Sequence, residues 1–100
     1  MTISVVEVSL PRAVRAQVSD TSLSVELSDG RSIAAPLAWY PRLLHASPAE
    51  RAAWRLIGDG EGIHWPGLDE DISVESLVAG RRSVETPESL ARWLAARNGA

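Results

Sequence analysis

Cysteine, lysine and phenylalanine are all absent from this sequence of 100 residues. The lack of cysteine excludes disulfide bonds and metal sites that are built from thiolates. No apolar run approaches the length that crosses a membrane, and the chain does not open on a basic segment followed by an apolar run. We therefore expect a cytoplasmic protein that has no membrane partner.

The charged residues are also unevenly distributed among the residue types. All ten basic residues are arginines, and with thirteen acidic residues the net charge is -3. The arginines reflect either a bias in genomic composition or a use of guanidinium forks to pair with carboxylates or phosphates. Since autonomous nucleic-acid binders are usually basic, the negative charge makes nucleic acid an unexpected partner for this chain alone.

The first third of the chain reads as β-structure, because apolar and polar residues alternate along it. The alternating apolar residues are Val6, Val8 and Leu10, then Val14, Ala16 and Val18, and then Leu23, Val25 and Leu27. Asp29-Gly30 predicts a hairpin with a two-residue turn. The return strand covers residues 31 to 35 and ends at Pro36, which lacks the N–H that a ladder needs. These segments predict an antiparallel meander of three or four strands.

Helices are predicted to cover the apolar face of this meander. Ser47-Pro48-Ala49-Glu50 is a capping box. The helix that it opens is expected to end at Gly58 and to present one apolar stripe, consisting of Ala49, Ala53, Leu56 and Ile57. The resulting fold class is α+β.

Two further helices are predicted near the end of the chain. Ser73 opens a short one that stops at Gly80, and Thr86-Pro87-Glu88 opens the last. We divide the chain into an α+β domain over residues 1–82 and a helical extension over residues 83–100. The last helix folds back on the domain, docks against a partner, or joins a second copy in a homo-oligomer.

Residues 62 to 73 are compositionally the most unusual stretch and are predicted to form a loop on one edge of the domain. His64 lies near Asp69, Glu70 and Asp71, and such groups can ligate a divalent metal or share a proton. Their spacing is not a recognised ligand pattern. The alternative is structural, with the acids facing N–H groups at a helix start and the histidine half-buried. No cofactor is predicted.

The aromatic residues allow two interpretations. Tryptophans in a small domain usually belong to the core, whereas an exposed one beside arginines marks a contact with another protein. Trp65 and Trp93 are the best candidates for exposure. Arg51 and Arg55 lie one turn apart on the predicted helix, where they face solvent or reach the acidic loop.

Four segments together resemble a known bacterial family. They are residues 27–31 (LSDGR), 36–43 (PLAWYPRL), 49–56 (AERAAWRL) and 62–74, which runs from Gly-Ile-His-Trp-Pro to Leu-Asp-Glu-Asp-Ile-Ser-Val. Their order and spacing resemble the family called domain of unknown function 2442, over about residues 4–80. The resemblance implies no enzymatic activity. It implies a domain often encoded beside a second small protein, in pairs that resemble toxin–antitoxin modules.

The leading prediction is a non-enzymatic protein-binding module, in the antitoxin-like role of a two-protein system, with a small protein encoded nearby as its partner. An acidic, aromatic loop suits a basic partner. The predicted contact residues are His64, Trp65, Asp69, Glu70 and Asp71, supported by Arg42, Arg51 and Arg55. One alternative is a metal-dependent or hydrolytic enzyme that uses His64 with Asp69 and Asp71. Another is a DNA-binding regulator, although the family's appended helix-turn-helix has no counterpart here.

Overall fold

The structure is a computed structural model that describes residues 9–99, with side chains described as far as Arg97. Within that range, two antiparallel sheets of three strands each combine with short helices, which confirms the α+β class. The elements in chain order are β1 (Ala13–Val18), β2 (Ser22–Leu27), β3 (Ser32–Pro36), α1 (Pro41–Leu44), α2 (Pro48–Ala52), β4 (Arg55–Ile57), β5 (Gly62–Trp65), β6 (Glu70–Ser73), α3 (Val74–Ala79) and α4 (Pro87–Gly99). Two 3₁₀ turns, Leu37–Trp39 and Pro66–Leu68, complete the set.

The first sheet is the predicted meander, in the order β1-β2-β3. Leu23, Val25 and Leu27 are buried, as their alternation predicts. The hairpin at Gly30 is confirmed, but its turn has three residues instead of two. Gly30 has a φ of 93° and donates its N–H to the Leu27 carbonyl, while the Leu27 N–H bonds to the Arg31 carbonyl.

The β1 strand departs from strict alternation. A register shift between Ala13 and Arg15 turns Ala13 and Ala16 into the core and leaves Val14 exposed. The predicted inward face of Val14 is therefore wrong, because the irregularity moves its side chain to the other side of the sheet. Val6 and Val8 lie outside the described residues, and Leu10 is exposed and belongs to no strand.

The helix predicted to run to Gly58 is shorter than expected. Its capping box is present, since the Glu50 N–H donates to Ser47 Oγ at 3.1 Å and the Ser47 N–H donates to the Glu50 carboxylate at 2.9 Å. The helix nevertheless ends at Ala52, and residues 55–57 form β4, paired with β5. Pairing with a buried neighbouring strand outweighs the modest helix propensity of these residues.

The prediction that residues 62–73 form a loop is also wrong. The chain there forms β5, a 3₁₀ turn and β6, which together with β4 build the second sheet. Three side chains from this stretch, Trp65, Leu68 and Ile72, are buried in the core. The central strand of that sheet is β5, which contains residues 63–65.

One core joins the two sheets. Its buried hydrophobic residues come from β1 to β3, the 37–46 segment, the second sheet and α3. Gly60 lies where the sheets meet: the Ala13 N–H donates to the Gly60 carbonyl at 2.7 Å, and a Cβ on Gly60 would lie 2.4 Å from the Ala13 carbonyl oxygen. Only glycine tolerates this contact and the φ of 107° found there.

The two C-terminal helices begin where the sequence predicts. Ser73 Oγ accepts the Ser76 N–H at 3.0 Å to cap α3, and Thr86 Oγ1 accepts the Ser89 N–H at 3.1 Å before α4. The α4 helix folds back on the domain, where Arg97 makes two bonds to the Glu50 carboxylate, at 2.7 and 2.8 Å. None of the helices among the described residues has both the length and the apolar character needed to cross a bilayer.

Candidate functional site

Three of the predicted contact residues form a row across the outer face of the second sheet. Arg55 pairs in register with His64, and His64 pairs with Asp71. The His64 and Asp71 side chains bond through Nδ1 and Oδ1. A carboxylate on one ring nitrogen orients the imidazole and is an arrangement that general bases use. Residues 9–99 contain no group of three or more His, Asp or Glu side chains placed to hold a metal ion.

Trp65 does not belong to this surface. Its side chain is fully buried, and its indole N–H donates to the Arg51 carbonyl at 3.1 Å. The prediction that Trp65 faces outward as a contact residue is therefore wrong. The alternation of β5 explains this, since Trp65 and Ile63 lie on the core side when His64 lies on the outer side.

Arg51 and Arg42 contribute most of their donors to the fold. Arg51 donates to the Leu43 and Leu44 carbonyls, both at 2.9 Å, and so binds the orphan carbonyls at the end of α1. Arg42 forms an ion pair with Glu85 and donates to the Leu68 carbonyl at 3.0 Å. Both arginines therefore position neighbouring elements, and Arg55 is the supporting arginine that lies exposed.

Trp93, the other tryptophan considered for exposure, is half-buried between two cations. The guanidinium carbons of Arg42 and Arg97 lie 5.3 and 4.5 Å from the centre of its ring. Arg97 lies one turn from Trp93 on the same helix, so of these two cation–π contacts the one with Arg42 joins α4 to the domain. Trp93 therefore serves to attach α4.

Asp69 closes the hairpin between β5 and β6. It ends the 3₁₀ turn Pro66–Leu68 with a φ of 49°, a left-handed conformation that aspartate tolerates better than most residues. Its side chain is exposed, and its carbonyl lies 3.4 Å from an Arg42 nitrogen. The turn places the Asp69 carboxylate at the start of β6, next to Glu70.

Tyr40 and Glu70 form the least ordinary part of the molecule. Tyr40 is only 3% exposed, and its buried hydroxyl has no hydrogen-bond partner among the described residues. Burial raises the pKa of the Glu70 carboxyl; Arg42 opposes this effect and Glu85 adds to it. Burial also raises the pKa of the Tyr40 phenol, and the Glu70 charge adds to that increase. Two polar groups are thus held in a poorly solvated place and could accept a cationic donor.

These two residues line one wall of a groove. The cavity has a volume of about 500 Å³ and runs between β6 and the segment after α3, with Tyr40, Glu70 and Ile72 on one side and Arg81, Ser83 and Val84 on the other. It adjoins a second cavity of about 370 Å³ that shares Glu70, Ser83 and Val84 with it. We call the two cavities together the β6 groove.

Tyr40 and Val84 are members of this groove that the sequence did not indicate. Tyr40 reads as one more core aromatic, although a tyrosine hydroxyl usually finds a partner when buried, and that requirement is the available signal. Val84 sits in a segment without periodicity, yet its side chain is 95% exposed on the groove wall. Of the predicted site, Asp69, Glu70 and Asp71 lie together along β6, whereas Arg51 and Trp65 lie elsewhere.

Comparison with known proteins finds one family and two solved structures, all of unassigned role. The sequence profile described as protein of unknown function (DUF2442) matches residues 13–83. No curated protein matches the chain.

Two solved structures resemble the fold. A protein of unknown function from Rhodospirillum rubrum ATCC 11170 is 32% identical, with a TM-score of 0.65, over 82% of this chain and 99% of the other. The uncharacterized protein CV0863 from Chromobacterium violaceum has a TM-score of 0.63 at 21% identity, over 89% of this chain and 78% of the other. The second likeness shows the fold alone.

Proposed function

The chain belongs to the DUF2442 family of proteins of unknown function, and from this premise we propose that it is a non-enzymatic protein-binding module that uses the β6 groove. The observation that carries the proposal is the placement of Asp69, Glu70 and Asp71 along a sheet edge that opens on this groove. Carboxylates in such a position steer and orient a basic partner.

The pairing of charges supports a surface that is acidic overall. The Asp71 carboxylate bonds to the His64 ring, whereas neither Asp69 nor Glu70 forms an ion pair with any other described residue. On the facing wall, Arg81 lies 3.6 Å from Glu75, and Arg82 stacks over Trp39 at 4.8 Å. The groove is lined by four carboxylates (Asp69, Glu70, Asp71 and Glu85) and three guanidiniums (Arg42, Arg81 and Arg82), so its formal charge is negative by one.

We assign the module more specifically to the neutralising half of a two-protein system. This finer assignment follows from the neighbouring small protein that the family resemblance implies. An acidic groove would then cover a basic surface of that neighbour. Such a neutralising contact needs affinity and specificity, and it needs no reaction chemistry in this chain.

Co-expression with the product of each flanking gene tests the proposal. We expect one product to form a stable complex by size-exclusion chromatography and calorimetry, and to halt growth when expressed without this chain. Glu70→Gln with Asp69→Asn should weaken binding at least about tenfold, since each well-placed ionic contact contributes of order 1 kcal/mol. Glu26→Gln, which removes an exposed carboxylate from β2, is the matched control. Absence of any complex, or equal binding by all variants, would contradict the proposal.

The bond between His64 and Asp71 supports a second candidate, a hydrolase or metal-dependent enzyme. Its general base would be His64, held by Asp71 beside the Arg55 cation. Calorimetric titration with zinc, manganese and magnesium tests the metal-dependent form, and hydrolysis of model esters tests the other. Activity or metal binding that His64→Ala abolishes would favour this candidate over the binding module.

A further inference from the structure

We infer that the β6 groove receives an extended basic segment of the partner, which pairs with the open edge of β6 and places a lysine or arginine between Tyr40 and Glu70. This inference rests on the proposed function and specifies the chemistry of its partner. Three independent features of the groove support it: an unpaired strand edge, a fixed opposite wall, and a buried Tyr40 hydroxyl without a partner beside the half-buried Glu70 carboxylate.

The strand edge follows from the hydrogen-bond pattern of the second sheet. Among the described strands, β6 pairs only with β5. The Val74 N–H donates to the Glu61 carbonyl at 2.9 Å, so these two residues form a hydrogen-bonded pair. Such pairs alternate along an antiparallel ladder, which makes Ile63 and Ile72 the next pair and turns the N–H and C=O of Asp71 away from β5. An open edge of this kind is a template for an added strand.

The opposite wall of the groove is held in place by contacts with the domain. The Ser83 N–H donates to the Trp39 carbonyl at 3.0 Å, and the guanidinium of Arg82 stacks on the Trp39 ring. The exposed Val84 side chain follows directly on this wall. A strand that lies along β6 would therefore contact an apolar side chain as well as backbone groups.

The polar pair selects the side chain of the incoming segment. The Tyr40 hydroxyl is buried without a partner, and the Glu70 carboxylate is half-buried. Arg42, the cation nearest to Glu70, is already paired with Glu85. A lysine or arginine from the partner can donate to the Glu70 carboxylate beside the Tyr40 ring, whereas an acidic side chain would meet repulsion from Glu70 and Asp69.

Charge and hydrogen bonding together favour this occupant over a second copy of the chain. Two β6 edges brought together would place four carboxylates that have no ion-pair partner, those of Asp69 and Glu70 from each copy, along one seam. Like charges opposed in this way are destabilising. A basic segment from another protein removes the conflict.

Two short synthetic peptides test the inference on the full chain. The probe is acetyl-Ser-Val-Arg-Val-Arg-Val-Ser-amide, and its matched control carries glutamate at both arginine positions. In NMR titrations, we expect the arginine peptide to shift the amide signals of residues 69–72 and 83–84. We expect Glu70→Gln to weaken its binding at least fivefold and Glu26→Gln to leave it unchanged. A version of the peptide with methylated backbone nitrogens should bind at least fivefold more weakly, because it cannot add to a ladder.

Three results would overturn the inference: no binding of the arginine peptide at millimolar concentration, equal binding of both peptides, or shifts confined to another surface. Dimerisation of the chain through β6, detected by light scattering, would assign the edge to a second copy instead and would also overturn it. The peptide titration does not use the neighbouring gene product. Failure here therefore leaves the co-expression result standing, and failure of co-expression leaves the peptide result standing.

Discussion

At the scale of single residues, Tyr40 carries a stability cost that a binding role would explain. A buried hydroxyl without a partner loses its bonds to water and gains none in the protein. Only 3% of Tyr40 is exposed to solvent, and Tyr40 lines the β6 groove together with Glu70. A group that lowers stability and lies beside a cavity is better placed for a ligand than for the fold.

Tyr40→Phe should therefore stabilise the free protein, by about 1 kcal/mol in urea unfolding, because it removes the unsatisfied hydroxyl and keeps the ring. The same variant should weaken binding of the arginine peptide. Tyr40→Leu, which also removes the ring, should destabilise the protein and serves as the control for packing. A loss of stability in Tyr40→Phe would mean that the hydroxyl already makes a hydrogen bond in the free protein, which would contradict its proposed role in binding the partner.

Trp65 provides the opposite case, a residue of the core. Trp65→Ala should lower the free energy of unfolding by about 3–5 kcal/mol, since it leaves a cavity and removes the bond to the Arg51 carbonyl. Thermal unfolding followed by circular dichroism measures this loss. A stability within about 1 kcal/mol of the wild type would contradict the burial of Trp65.

At the scale of elements, the connection between the two sheets depends on one glycine. Gly60→Ala should destabilise the protein by more than about 2 kcal/mol, since the new Cβ would collide with the Ala13 carbonyl and the φ of 107° is strained for alanine. Gly30→Ala is the matched control: its φ is 93°, yet a Cβ there has no atom within 4 Å. Urea unfolding of the two variants separates the collision from the strain. Equal losses would show that the sheets do not meet as described.

The α4 helix is attached by charge, so its contribution to stability should depend on pH. The Arg97 guanidinium, together with hydrogen bonds from Ser47, lowers the pKa of Glu50 from 4.5 to about 2. Because the pKa is lower in the folded state, the ionised pair stabilises the protein above the unfolded value, near pH 4.5, and that stabilisation is lost as pH falls toward 2. A double-mutant cycle of Glu50→Gln and Arg97→Gln should show coupling at pH 7 that becomes much weaker near pH 2, where a large part of the Glu50 carboxyl is protonated. Coupling that does not change with pH would contradict the pairing.

The success of sequence reasoning also differs from element to element. The alternation at Leu23 and Val25 is a local signal that predicted its strand correctly, and the caps at Ser47 and Thr86 are local signals that predicted where their helices begin. Residues 55–57 were predicted to be helical, but they form a strand through pairing with β5, and helical periodicity cannot reveal such a contact. The burial of Trp65 follows from the same pairing. The acids of β6 were visible in the sequence, but the groove beside them depends on where residues 81–86 return to the domain.

At the scale of the whole molecule, the chain combines a small sheet-based core with an acidic groove, and its net charge is -3. A partner attracted by this charge should associate faster at low ionic strength.

Hydrogen exchange at the Asp71 amide tests the central claim most directly. The exchange rate is measured in the free chain and in its complex with the flanking-gene product. An added strand would take up this N–H, so we predict that its exchange slows at least about tenfold on binding while the amides of β1 are unaffected. Protection of another surface, with exchange at Asp71 unchanged, would contradict the claim that the partner binds along β6.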